Sequence, residues 1–406
     1  MNKPRSCSPM TKLRLAVFNT QPPLFLGGVE RRIQETAKRL QTDADITIYS
    51  GTKAGLRKPV VIEGATVIPC ASTDRIFPLD NWTFNRTLSK MTQKIKADVY
   101  ESHTVSGYGF QNALKKNHIN APFITTVHGV LADEYTQARL RGGLTARAKV
   151  ANFFMERLAK IEEKSAQNAT LVVTISEYSK KKIIDLYSVS EKKIRIVPNG
   201  VDTERFRPRV DACEDFRKRI GVGNRQTVLF VGRLIPRKGI CYLIEAAKRV
   251  VNERRETLFI IVGNGPLRDR LVADVKAAGV ADNFAFLGDV SENDLTEAYS
   301  CADVFAFPSI QEGQGIALLE AQASAKPVVA FNVSGVAEAV LEGETGFLVE
   351  PSDSEKFAEA ILELLSDGAL RAKMGDKGRE FVKNTLSWDV CAKKMLNAYR
   401  EAISRV

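Results

Sequence analysis

The sequence predicts an α/β protein made of two doubly wound parallel sheets in tandem. Three observations carry this. Short apolar runs of strand length alternate with longer stretches of helical spacing along most of the chain. The alternation stops once, at Pro198-Asn199-Gly200-Val201-Asp202 and the Pro/Arg-rich segment through Pro208, and then restarts. The chain's 406 residues, 44% of them hydrophobic, are enough for two domains of ordinary size, each with its own core.

In the first half, Leu13–Asn19 reads as a buried strand. A Pro/Gly loop over Gln21–Gly28 follows, then a helix over Val29–Leu40. Ile46–Tyr49, Asp98–Tyr100, Phe123–Val127 and Leu171–Ile175 read as further strands, with helices near Leu88–Lys96 and Gly107–Lys116. The first domain is expected over 1–198 and the second over 199–386. In the second, Thr227–Val231, Leu258–Val262, Phe284–Leu287, Asp303–Phe307, Pro327–Phe331 and Gly346–Val349 read as strands. The expected helices are Gly239–Val251, Leu267–Ala278, Asp294–Ala302, Ser354–Leu365, Ala369–Asn384 and a terminal Ser387–Ser404. No internal repeat is evident.

The charge is uneven. Residues 1–200 carry 31 Lys and Arg against 17 Asp and Glu, a balance of +14; the remainder stands at −3, recovering the overall +11. A basic first half suits an anionic partner such as an acidic membrane surface, a phosphorylated lipid or a nucleic acid. The six cysteines are scattered, without a CxxC or Cys/His cluster, so neither a zinc site nor a disulfide framework is expected. That usage fits a reducing compartment. The first apolar run is too short for a signal-peptide core, and no run has the length of a membrane span. The expected location is cytoplasmic, with peripheral attachment at the inner membrane face.

The most informative segment is 307–330. Glu312 and Glu320 bracket Gly313-Gln314-Gly315-Ile316, between a strand and a helix. A glycine loop at a helix N-terminus offers backbone N–H groups to an anion, and the carboxylates can accept hydrogen bonds from sugar hydroxyls. A diphosphate flanked by two polyols, as in a nucleotide sugar, fits. Val231 to Gly239 follows the first strand of the second half: Arg233 can fork onto phosphate oxygens, and Lys238 adds a point charge. Gly27-Gly28 separates the first strand from its helix and allows close approach of a ligand. His128 ends a strand, His103 is a weaker candidate of the same kind, and His118 looks like a surface residue. Gly263-Asn264-Gly265 invites a dinucleotide reading, but Arg268 stands where the third glycine belongs. Asp43-Ala44-Asp45 reads as a solvated turn rather than a metal site. Arg139–Lys164 is basic and amphipathic, with Val150, Phe153, Phe154, Leu158 and Ile161 at helical spacing among Arg147, Lys149, Arg157, Lys160 and Lys164. Packing on the first sheet is the expected role, and contact with a membrane surface the alternative.

The 307–330 segment resembles the donor-site signature E-G-F-G-x-x-x-x-E of retaining glycosyltransferases of family 4. Gln314 stands where the aromatic is usual, a departure expected to alter donor-sugar choice. Ala325 stands where a glycine is common. The resemblance covers nearly the whole chain and is tightest over 228–350. It implies the GT-B fold, with two Rossmann-like domains facing a cleft and a terminal helix, within 387–406, crossing back onto the first. It also implies hexosyltransferase-type chemistry from a UDP-, GDP- or ADP-sugar, without cofactor or metal. The acceptor, a glycan, lipid-linked or small molecule, is expected on the first domain. By resemblance Glu312, His128, Arg233 and Lys238 are catalytic. Gly28, Arg233, Lys238, Gly263, Gly313, Gln314, Gly315, Ile316 and Glu320 bind the donor. A nucleotide-sugar epimerase of the same fold is one alternative. A nucleic-acid-binding protein is another, but the basic half lacks the aromatic interleaving of such surfaces, so no nucleic-acid partner is expected.

Overall fold

The computed structural model describes residues 12–24, 27–73, 77–140 and 146–406. Contacts divide the chain into two compact units. The first holds the chain up to Ile175, Ser179–Val197 and Cys391–Val406; the second holds Ser176–Tyr178 and Pro198–Val390.

The first unit contains β1 (Leu13–Asn19), β2 (Ala44–Ser50), β3 (Val60–Ile62), β4 (Ala65–Pro69), β5 (Val99–His103), β6 (Phe123–Val127), β7 (Leu171–Thr174) and β8 (Ile194–Ile196). They form one eight-stranded sheet in the order β3-β4-β2-β1-β5-β6-β7-β8. Only the β3–β4 pair is antiparallel among these strands. Successive residues of β1 feed opposite faces. Leu15 and Val17 join a core that takes in Ala392, Met395 and Tyr399 of the last helix, Trp388–Ser404. Ala16 and Phe18 join a second core with Phe84, Leu88 and Phe110. Both faces are covered, so β1 is a continuous apolar run, as parallel sheets require.

The second unit contains β9 (Thr227–Val231), β10 (Leu258–Val262), β11 (Phe284–Gly288), β12 (Val304–Phe307), β13 (Val328–Phe331) and β14 (Gly346–Val349). The sheet order is β11-β10-β9-β12-β13-β14, and every pair is parallel. Val228 and Phe230 face one core, Leu229 the other.

The strand order reverses at β1/β5 in the first unit and at β9/β12 in the second. Such switch points are where open α/β sheets bind ligands, at the carboxyl ends of the strands. Among the described residues no helix is long and apolar enough to cross a membrane.

Two expectations are corrected. The helix expected near Leu88–Lys96 lies earlier, at Phe77–Ser89. Leu88, Met91 and Ile95 are spaced like a helix face, yet only Leu88 is in the helix; Ile95 reaches the core from a turn in which its N–H bonds Met91 O. The β3–β4 hairpin carries no clear sequence pattern, because β3 is a three-residue edge strand with Val61 exposed. The stretch Arg139–Lys164 spans two helices, Leu131–Leu140 and Ala146–Asn168, and its apolar stripe does not pack on the sheet. Val150, Phe153 and Phe154 are exposed. The buried face of the second helix is instead Ala159, Glu162, Ser165 and Ala166. Glu162 accepts from Tyr187 OH at 2.6 Å and from Leu131 N–H at 2.9 Å, and burial raises its pKa to about 8. An ionisable residue on the inward side hid the buried face from hydrophobic periodicity. The side chains of Arg147 and Lys149 lie outside the described residues.

Candidate active site

In the second unit the loops after β9 and β12 are locked together. The β9 loop makes a short turn, Pro236–Lys238, ending at Gly239 with φ +64°. A Cβ on Gly239 would stand 1.9 Å from Pro308 O, so glycine is required both by conformation and by the approach of the neighbouring loop. Ile310 N–H donates to Arg237 O at 2.9 Å. This places the Lys238 ammonium directly on the Glu312 carboxylate, with Arg237 Nη1 3.4 Å from the same oxygen. The Lys238 Nζ also lies 4.9 Å from the centre of the Phe307 ring. Burial by itself would raise the Glu312 pKa; the charges of Lys238 and Arg237, with their hydrogen bonds, outweigh it and hold the carboxyl below its ordinary value.

Glu312 and Lys238, expected to serve separate parts of a ligand, are thus each other's partners. Arg237 was missed, although its place beside Lys238 in the turn was a signal. Arg233 is exposed, and its side chain meets no partner among the described residues.

The helix Ile316–Ala323 starts from Gly315, at φ +88°. The N–H groups of Gly313, Gln314, Gly315 and Ile316 donate to no acceptor among the described residues, so they remain open to an anion. Glu320 is buried on that helix, and its Oε2 accepts from Tyr299 OH at 2.8 Å. Tyr299, on Glu292–Cys301, carried no sequence signal because another helix delivers it.

The Gln314 side chain has a backbone partner. Its Oε1 accepts from Asn199 N–H at 2.7 Å and its Nε2 donates to Asn199 O at 3.3 Å. Both ends of the amide meet backbone, so the side chain clamps the 198–202 turn. Gly263 lies at the end of β10, but its N–H already bonds Gly288 O at 2.8 Å. Ala325 holds a left-handed φ of +55°, the conformation that a glycine there would adopt without strain.

In the first unit, Gly28 opens the helix Gly28–Arg39 at the carboxyl end of β1. Glu30 is buried beside it and accepts from Asn19 Nδ2 at 3.0 Å; burial raises its pKa. His128, just beyond β6, lies 2.8 Å through Nε2 from Nδ1 of His103, the last residue of β5. The two histidines, ranked separately from sequence, form one contact. His118 is exposed. Of the Asp43/Asp45 pair, Asp43 faces Arg400 at 3.6 Å and Asp45 faces Lys12 at 3.6 Å. Among the described residues no cluster of three His, Cys, Asp or Glu could hold a metal ion.

Two family models match consecutive parts of the chain: "Glycosyltransferase Family 4" over residues 26–205 and "Glycosyl transferases group 1" over residues 213–381. An uncharacterized glycosyltransferase of Methanocaldococcus jannaschii is 32% identical over 311 residues, 76% of each chain. The GDP-mannose-dependent alpha-(1-6)-phosphatidylinositol monomannoside mannosyltransferase of Mycobacterium tuberculosis is 36% identical over 241 residues, 57% of this chain and 62% of that protein. Among solved structures, sucrose-phosphate synthase from Thermosynechococcus elongatus has a TM-score of 0.83 at 21% identity, covering 97% of this chain and all 100% of that one. Anabaena HepE in complex with UDP-glucose has a TM-score of 0.74 at 19% identity, covering 97% and 100%. The structural likenesses show the GT-B fold, and with the family matches and the site at the β9/β12 switch point they establish that this chain belongs to the family 4, group 1 glycosyltransferases.

Proposed function

We propose that the chain transfers a sugar, with retention and without a metal, from a nucleoside-diphosphate sugar held by the second domain to an acceptor held by the first. The observation that carries this is the constellation at β9/β12: paired Glu312 and Lys238, Arg237 beside them, exposed Arg233, and open N–H groups over Gly313–Ile316. It offers cations and amide dipoles to a diphosphate and a carboxylate to hydroxyls. The relatives' printed names support the donor class: one is GDP-mannose-dependent, and another was solved with UDP-glucose.

The roles follow from charge. In the free protein Lys238 neutralises Glu312. An arriving diphosphate competes for Lys238 and frees Glu312 to accept from the donor sugar's hydroxyls beside the anomeric carbon. Glu320 accepts from the ribose. As the bond from the anomeric carbon to the phosphate oxygen breaks, negative charge grows on the diphosphate, where Arg233, Lys238 and the loop N–H groups stabilise it. The acceptor oxygen attacks on the same face, and its proton passes to the departing phosphate. His128 contacts the donor sugar.

The acceptor reading rests on the first domain's +14 balance over residues 1–200 and on the exposed Val150, Phe153 and Phe154 beside Arg157, Lys160 and Lys164. Apolar side chains flanked by cations suit an anionic bilayer surface, and so a lipid-linked or other glycan acceptor at the inner face of the cytoplasmic membrane. A thermal-shift screen with GDP-mannose, UDP-glucose and ADP-glucose, with and without chelator, tests the donor reading. One of the three should stabilise the protein equally in both conditions. Stabilisation by none, or only with a divalent ion, overturns it, and conversion of donor alone to an isomer would select the epimerase.

A further inference from the structure

The first unit holds a buried polar chain that the proposed reaction does not yet use. Glu101 on β5 is 4% exposed. Its Oε1 accepts from Thr126 Oγ1 at 2.6 Å and lies 3.4 Å from His103 Nε2. Its Oε2 accepts from Tyr399 OH, on the last helix. His103 Nδ1 meets His128 Nε2 at 2.8 Å, with ring planes 15° apart. The cavity beside Arg32, Glu101, His103 and Tyr399 measures about 10 Å³, the lower limit for a single water.

We infer that Glu101, Tyr399 and His103 are positioning residues that fix His128 as its Nε2–H tautomer and present its Nδ1 lone pair as a hydrogen-bond acceptor. The logic is one of donors and acceptors. A carboxylate only accepts, so His103 Nε2 carries the hydrogen that faces Glu101. His103 Nδ1 is then the acceptor, and the proton in the 2.8 Å contact sits on His128 Nε2. The remaining nitrogen, His128 Nδ1, is bare. The opposite arrangement would point the His103 Nε2 lone pair at the Glu101 Oε1 lone pairs, which is repulsive. Tyr399 and Thr126 occupy the rest of the carboxylate and hold it in register, so the chain's last helix sets the proton position at a residue in its first third. An acceptor at His128 selects a sugar hydroxyl as its partner, since a hydroxyl can donate to it.

Burial keeps both rings neutral. It lowers the His103 pKa to about 4 against the opposing pull of Glu101, with Arg32 lowering it further. Burial, His103 and Arg32 together hold His128 well below the ordinary histidine value.

The inference rests on His128 touching the donor sugar, so the test separates the two. Ring-nitrogen NMR of ¹⁵N-histidine-labelled full-length protein, with His118→Gln for assignment, reads the tautomers directly. The expected spectrum shows Nε2–H on His103 and His128, unchanged from about pH 5.5 to 8.5. Glu101→Gln turns an amide N–H toward His103 and is expected to shift His128 to Nδ1–H. It should lower kcat for nucleotide release from GDP-mannose or UDP-glucose about tenfold, with KM little changed. Tyr399→Phe, a milder variant, should give a mixed tautomer population. A wild-type His128 in the Nδ1–H form, or one that becomes doubly protonated within that pH range, overturns the inference without any variant having to fold. An unchanged His128 tautomer in folded Glu101→Gln also overturns it. His128→Ala with undiminished turnover refutes the sugar contact, and with it the catalytic part of the inference.

Discussion

Replacing Lys238 by Met should expose how the second unit's site stores charge. Lys238 and Glu312 have side chains only 12% and 14% exposed. Removing one partner of such a pair leaves an uncompensated buried charge, which typically costs about 3–5 kcal/mol. Arg237 stays within 3.4 Å but is 43% exposed, so solvent limits its compensation to about 1 kcal/mol. A deficit of about 2–4 kcal/mol near neutral pH is expected. Its pH dependence is the sharper signature. In the wild type the Glu312 pKa is depressed, so its stabilisation is present above the unfolded glutamate value and lost as pH falls through the folded one. In the variant, burial dominates and the pKa rises. Its contribution is then intact below the unfolded value and lost as pH rises through the new folded value. The deficit should therefore be small near pH 4.5 and grow toward pH 7. Urea unfolding followed by tryptophan fluorescence measures this. Trp388 is buried in the second unit, and with Trp82 replaced by Phe it is the sole reporter. Adding Glu312→Gln to Lys238→Met should restore most of the loss near neutral pH. Equal deficits at both pH values, or a loss under about 1 kcal/mol, would refute the argument that these two charges depend on one another.

Glu320→Ala should weaken binding of the nucleotide sugar found in the donor screen by about 2–4 kcal/mol in calorimetry, and free Tyr299 from its acceptor; unchanged affinity would remove the ribose assignment. Arg233→Ala should reduce turnover by about 10²–10³ with a much smaller effect on donor affinity, and magnesium should not restore it. Gln314→Ala leaves the Asn199 backbone pair unmet and should cost about 1–3 kcal/mol in urea unfolding while the ranking of donors stays the same. Wild-type protein should co-sediment with acidic but not neutral vesicles at low salt, and Phe153→Ser/Phe154→Ser should lose most of that binding; sedimentation equal to wild type would clear those aromatics of a membrane role.

Much of the second unit was legible because its strands are continuous apolar runs separated by glycine turns. β9, β10 and β12 appear within a residue of where periodicity puts them. The first unit was harder. A three-residue edge strand has too few side chains to make a pattern, and the helix Ala146–Asn168 presents a glutamic acid inward and aromatics outward.

The sequence by itself determined which residues stand at the carboxyl ends of the strands. Alternating strands and helices dictate that order, and a glycine loop before a helix creates open N–H groups whatever surrounds it. It could not determine pairing between loops far apart in the chain. Lys238 and Glu312 meet because β9 and β12 are neighbours at a reversal of strand order. The Gln314 side chain clamps Asn199 because the fold brings that backbone within hydrogen-bond distance. Glu101 and Tyr399, 298 residues apart, share a hydrogen bond because the last helix packs on the first sheet. Charge and hydrogen-bond partnership depend on distances of a few ångströms, and those distances are set by sheet order and helix packing rather than by spacing along the chain.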